Sequence, residues 1–249
     1  MLISFFEEFP TKENLSKLNL VNFSTKLYVA ATSLKEFEKI VNSVSNKYVK
    51  EFIYWPLLSK KEGYWISPFS NRKGLLRILE ELGENKVSVM LDLELPTRHN
   101  FWLYFTQLFN FSKNKKLVGE FIEKYKGDVY LAEYYPEGIR KEKIMRYLGL
   151  HFSNEKVKVI KMIYHSLHNF KEEFIRKELQ RGREELGDRF LVALGTIAKG
   201  VGGNEPLLEA KQLDDDLQMA EEIKVKEVIM FRLGGLTKEY VSVLKAFSK

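Results

Sequence analysis

Two carboxylates two residues apart, Asp92 and Glu94, close the apolar run Val87-Ser88-Val89-Met90-Leu91. In a strand, residues i and i+2 point to one side, so the two acids would lie roughly 6.5–7 Å apart along the chain. Pro96 cannot donate to a continuing ladder, so the strand is expected to stop there and leave both carboxylates at its C-terminal end. Barrel and open α/β enzymes keep their chemistry at that end. Acids on an apolar strand cost free energy unless paired or used, which leaves two readings: a salt bridge, with Arg232 as the cation, or an acid–base pair. In the second reading the neighbouring carboxylates resist joint ionisation and one keeps its proton towards neutrality. Glu94, nearer the mouth, would then be the proton donor, with Asp92 tuning or orienting.

Other groups fall at corresponding places. Glu7 and Glu8 follow the first strand-like run and Glu133 the fifth; Trp55, Trp65, Trp102 and Tyr135 lie at or just past strand ends. Barrel closure would gather these acids, with His165 and Arg232, into an acidic pocket rimmed by aromatics. Sugar rings stack on Trp and Tyr faces while carboxylates take hydroxyls and move protons, so the expected ligand is a small molecule or oligosaccharide.

Asp92-x-Glu94 resembles the last part of the acidic signature of family 18 glycoside hydrolases, the chitinase-like barrels. Met162-Ile163-Tyr164-His165 in the sixth run is similar to that family's Met-x-Tyr-Asp. The resemblance implies that Glu94 protonates the leaving oxygen, that Asp92 orients the substrate's acetamido group or shares the proton of Glu94, and that Tyr164 holds that group. The substrate's own amide would be the nucleophile. The family's two earlier acids are Val87 and Met90 here, His165 stands for its Asp, and Phe231-Arg232 occupies the place of its strand-eight Trp. An acid on the first strand combined with Asp-x-Glu is also similar to family 25 lysozyme-like barrels.

A competing constellation is glycine-rich. Gly200-Val201-Gly202-Gly203 and Gly234-Gly235 follow the seventh and eighth runs, where many barrels hold a phosphate on backbone N–H groups. With Lys161 as a Schiff-base lysine this would be a phosphosugar isomerase or aldolase; otherwise the glycines simply turn the chain. A third possibility is a barrel that binds a ligand without turning it over. His165 and His168, three apart, do not form a ligand motif, so no metal and no other cofactor is expected.

The elements that must position these residues are eight strand-like runs: Leu2–Phe9, Lys26–Ala31, Glu51–Leu57, Val87–Leu93, Asp128–Glu133, Val157–Tyr164, Arg189–Ile197 and Glu227–Leu233. Most are near-continuously apolar, as parallel strands covered on both faces must be, with helical segments between. Ser33-x-x-Glu36 and Asn169-x-x-Glu172 read as helix starts, as do Asp214-Asp215-Asp216 and Thr237. The sixth helix, Phe170 to about Leu186, should be a solvated outer helix with one buried stripe of Phe170, Phe174 and Leu179. The pattern predicts a single (β/α)8 TIM barrel over residues 1–249, with long connections at 97–116, where part can be helical, and at 198–212.

Composition narrows the setting. The chain has no Cys, four His, 45% hydrophobic and 30% charged residues, and a net charge of +6 without a long basic cluster. Disulfides and thiolate sites are excluded, and no nucleic-acid partner is expected. No apolar run approaches the ~18–20 residues of a membrane span, so no membrane partner is expected either. The N-terminus lacks the basic flank of a signal peptide, and a cytoplasmic protein is expected. Abundant Lys and Glu without Cys would suit a thermophile.

Overall fold

A computed structural model of the chain describes residues 1–83, 85–96, 100–134, 139–167 and 170–248. Its strands are β1 (Leu2–Glu7), β2 (Thr25–Ala31), β3 (Val49–Pro56), β4 (Val89–Asp92), β5 (Val129–Tyr134), β6 (Lys158–Met162), β7 (Phe190–Thr196) and β8 (Glu227–Phe231). They close into a parallel barrel in sequence order, the (β/α)8 architecture. No strand end lies more than two residues from its expected place. The helices among the described residues are α1 (Lys12–Ser16), α2 (Leu34–Ser43), α3 (Arg72–Gly83), α4 (Trp102–Thr106), α5 (Phe111–Lys124), α6 (Ile139–Leu148), α7 (Glu172–Leu186), α8 (Ala210–Glu222) and α9 (Lys238–Phe247).

Close contacts group the chain into two compact units, residues 1–30, 39–53 and 159–249, and residues 31–38 and 54–158. In the first unit, β1 pairs with β2 and β8 in a register that sets Phe6 opposite both Tyr28 and Phe231. The three rings touch, Phe6 edge-on to Tyr28 at 5.2 Å and 6.3 Å from Phe231, which fixes one shared face. Further down that face Lys26 bridges Glu51 and Glu227, each at 3.2 Å, and Tyr28 donates to Glu227. The other face packs on helices: a Cβ added to Gly182 of α7 would fall 2.2 Å from the Phe190 ring, so only glycine lets α7 sit there.

In the second unit, β4 pairs with β5 as Val89↔Val129, Met90↔Tyr130, Leu91↔Leu131 and Asp92↔Ala132. The Tyr54 ring stacks on Phe37 of α2 at 5.2 Å, so Tyr54 faces the helices and Trp55, one residue on, faces the concave side. On α3 the buried Leu75, Ile78, Leu79 and Leu82 repeat at helical spacing and form its core stripe.

Local start signals hold at Thr237, which accepts from Tyr240 N, and at Ser33, which accepts from Glu36 N. Glu36 returns to Thr32 N rather than to Ser33. Two expectations need correction. Asp214–Asp216 do not open a helix; α8 starts at Ala210 after the extended Glu209, and Asp216 is turned inward to a partner. On α7 the buried residues are Ile175, Glu178, Leu179 and Gly182, while Phe174 is half-buried and stacks on Phe170 at 4.8 Å. The connection at 97–116 is largely helical where described, through α4 and the start of α5. Asn169 lies outside the described residues.

Candidate active site

Asp92 is the last residue of β4 and is 3% exposed. Which way it points follows from its partner strand. Glu133 of β5 accepts from His151 Nδ1 at 2.8 Å and from Phe152 N, both in the segment after α6, so odd positions of β5 face the helix layer. Residues paired in parallel register share a face, so Asp92, opposite Ala132, points to the concave side. Pairing runs one residue past the strand, Leu93 N donating to Ala132 O at 2.9 Å, and keeps the backbone extended towards Glu94. Glu94 is half-buried. The carbonyl of Asp92 accepts from Ile66 N at 3.0 Å, which brings the half-buried Trp65, one residue before, to the same strand end.

The remaining positions of this unit differ among themselves. Trp55 is 3% exposed, part of the packing rather than an open rim, because it lies within β3. Trp102 opens α4, is 68% exposed and lies against Phe101 at 4.9 Å. Glu133 is fully buried on the helix-facing side, held by His151, and not on the concave face expected of a substrate-binding acid. Tyr135 lies outside the described residues, as do His99 and His168.

In the other unit, Glu7 ends β1 and is 0% exposed. Its carboxylate takes Arg232 Nη1 at 3.0 Å, Gly234 N at 2.7 Å, Phe9 N at 2.8 Å and Asn14 Nδ2 at 3.3 Å. Burial pushes its pKa above the ordinary carboxylate range, while the Arg232 charge and the two backbone N–H groups pull it down. Arg232 also donates from Nε to Lys199 O and lies over the Phe9 ring at 4.8 Å. The pair therefore clamps the end of β1 to the turn after β8. Arg232 is the cation of a salt bridge, and the acid it serves is Glu7.

The glycine-rich turns are already supplied with anions. Glu205 accepts from Gly200 N and Gly202 N, each at 3.1 Å; Glu8 accepts from Val201 N at 3.0 Å; Gly234 N goes to Glu7. N–H groups that a phosphate would need are capped by three carboxylates, which would repel it. The Schiff-base reading also meets an obstacle. Lys161 pairs with Val192, two residues from Phe190, whose ring lies against α7, so this lysine shares the helix-facing side of the sheet. Tyr164, just past β6, is half-buried and packs against Phe231 at 5.9 Å. His165, the next residue, turns the other way to Asp216 of α8 (Nδ1 to Oδ1, 3.0 Å), with Nε2 3.1 Å from Phe170 O. Burial pushes the Asp216 carboxyl up to about 6, against the pull of His165. These ties hold the His165 ring towards α8.

Several of these partners carry no sequence signal. His151, Asp216 and Asn14 are found by tertiary contact alone, whereas Glu205, three residues after Gly202, could have been read as a cap for that turn. Among the described residues no group of three or more His, Asp or Glu could hold a metal ion, and no helix is long and apolar enough to cross a membrane.

No family model matches the chain, and no curated protein matches it in sequence. Solved structures do match in fold. A class V chitinase from Pseudomonas fluorescens Pf-5 has a TM-score of 0.61 at 8% identity, covering 99% of each chain. A family 18 chitinase from Cycas revoluta, in complex with (GlcNAc)4, has a TM-score of 0.57 at 10% identity, again over 99% of each chain. A D-tagatose 3-epimerase-like protein has a TM-score of 0.55 at 15% identity, covering 99% of this chain and 95% of its own. At such identities the likeness is one of fold, and the chain has the parallel eight-stranded barrel of chitinase-type glycoside hydrolases, a fold it also shares with sugar epimerases.

Proposed function

We propose that the chain is a glycoside hydrolase-like enzyme acting on a glycan that contains an N-acetylated amino sugar. The observation that carries this reading is Asp92, desolvated on the concave face at the C-terminal end of β4, with the half-buried Glu94 two residues beyond it. Trp65 beside the same strand end offers a ring for a sugar to stack on. The chitinase-type fold, including a neighbour that holds (GlcNAc)4, supports the substrate class.

In the proposed reaction Glu94 gives its proton to the glycosidic oxygen as the C1–O bond breaks. Two acids on one strand cannot flank a sugar from opposite faces, so the acetamido oxygen of the substrate closes onto C1. Water then opens that ring, and the Glu94 carboxylate takes back a proton. Asp92 orients the acetamido N–H and disfavours ionisation of Glu94 before the substrate arrives.

The test is hydrolysis of N-acetylglucosamine oligomers and aryl N-acetylglucosaminides. Glu94→Gln keeps size and removes the proton, so turnover should fall ~10²–10⁴-fold with binding nearly intact. A chain that turns over none of these substrates, or a Glu94→Gln variant as active as the parent, would reject the proposal.

A further inference from the structure

Five large apolar side chains stand in the open between residues 101 and 109: Phe101, Trp102, Phe105, Leu108 and Phe109, the last 90% exposed. Single exposed hydrophobes are ordinary, but a contiguous set marks a contact surface. The segment is anchored from beneath. Leu103 is buried, Tyr104 and Phe111 both lie 5.0 Å from Phe69, and Gln107 is buried, so the outward residues are held outward. The surface continues onto α6, where Ile144 and Tyr147 are exposed. Phe111 lies 6.2 Å from the Tyr147 ring, and Lys115 Nζ is bound to the carbonyls of Arg146 and Tyr147 at 2.8 and 2.9 Å.

The exposed segment itself is basic. From Asn100 to Gly119 the chain carries Lys113, Lys115 and Lys116 and no acid. Lys60, whose carbonyl accepts from Asn100, and Lys61 flank one side, and Lys141 and Lys143 of α6 are exposed on the other. The nearby acids Glu62 and Glu142 are engaged by Arg77 and Arg146, and Glu120 by Lys116 at 3.6 Å and Lys124 at 3.9 Å, which leaves Lys113 with Lys60 and Lys61 as the cations that face outward.

We infer that this face docks on an anionic lipid surface, the aromatic and leucine side chains entering the interface while the lysines meet the headgroups. The charge pattern selects this occupant. Two copies meeting face to face would set Lys60, Lys61 and Lys113 of one against those of the other. A glycan would need hydrogen-bonding groups that Phe105, Leu108 and Phe109 lack. The expectation of no membrane partner rested on the missing span, which a surface contact does not require.

Flotation of the full chain with phosphatidylcholine vesicles, with and without phosphatidylglycerol, tests this. Binding is expected only where phosphatidylglycerol is present, with a blue shift of Trp102 emission and weakening by salt. Leu108→Ser with Phe109→Ser should lower vesicle affinity about tenfold or more. Lys61→Gln with Lys113→Gln should lower it roughly thirtyfold. All four side chains are exposed, so the melting temperature of each variant should match the parent. Absence of binding to either vesicle, equal binding by the variants, or a concentration-dependent dimer that Phe109→Ser abolishes without any vesicle binding would overturn the inference.

Discussion

Glu7 shows how far the role of a carboxylate depends on what buries it. Because burial raises its pKa above 4.5, it holds its proton more tightly in the folded than in the unfolded chain. Its contribution to stability is therefore greatest below the ordinary carboxylate pKa and is lost as pH rises through the folded value. Arg232→Met would strip the cation from a fully buried charge and should cost about 3–5 kcal/mol near neutral pH, read by urea unfolding. The loss should shrink towards about pH 4, where the variant's Glu7 takes up a proton. An equal loss at about pH 4 and about pH 8 would show that charge compensation is not what Arg232 provides. Nothing local announces this pair, since 225 residues separate its members. Asp92 and Glu94 were legible because spacing, strand end and Pro96 all lie within five residues. A Trp65→Ala change belongs to the same scale; loss of a stacked ring should raise KM about 3–10-fold while kcat holds, measured on the oligomer substrate.

Elements are joined through positions where only one residue type fits. A Cβ on Gly235 would fall 1.8 Å from the carbonyl oxygen of Ile197, a backbone atom that cannot swing aside. Gly235→Ala should cost at least about 2–3 kcal/mol by urea denaturation. Gly203, at φ +74 with open space around it, should lose only the left-handed strain of about 1–2 kcal/mol on the same change. If the two substitutions cost the same, the close approach of the β7 and β8 turns is not the constraint. Asp216 ties α8 to the end of β6 through His165, and its carboxyl, pushed up to about 6 by burial, binds a proton more tightly when folded. As pH rises from about 4 to about 6 the parent should lose melting temperature relative to Asp216→Asn, and the difference should level off above that. A difference independent of pH would remove the linkage. The eight strands could be read from sequence because parallel strands buried on both faces are apolar without alternation, as β7 is from Phe190 to Leu194. The start of α8 could not, because three consecutive Asp look like a helix N-terminus unless the inward pull of His165 is known.

For the molecule as a whole, the question is which ligand the barrel recognises, and glycine turns alone gave an ambiguous answer. They show where backbone N–H groups are plentiful but not which carboxylates use them. In the folded chain Glu205, Glu8 and Glu7 do. An anion would have to displace these acids and bear their repulsion, whereas a neutral glycan would not. Binding to the native state alone stabilises by about 2.7 kcal/mol at a hundredfold excess over Kd. For a chain of this length that corresponds to a rise in melting temperature of roughly 5–11 °C. An N-acetylglucosamine oligomer at saturating concentration should give a shift of that order, and Glu94→Gln should retain it, because binding and proton donation are separate in the proposed mechanism. Phosphate or sulfate at about 10 mM should leave the melting temperature within about 1 °C, because turns capped by carboxylates offer it no native site to occupy. A large shift with phosphate and none with the oligomer would reverse the choice of ligand class, since the capped turns would then have opened to an anion.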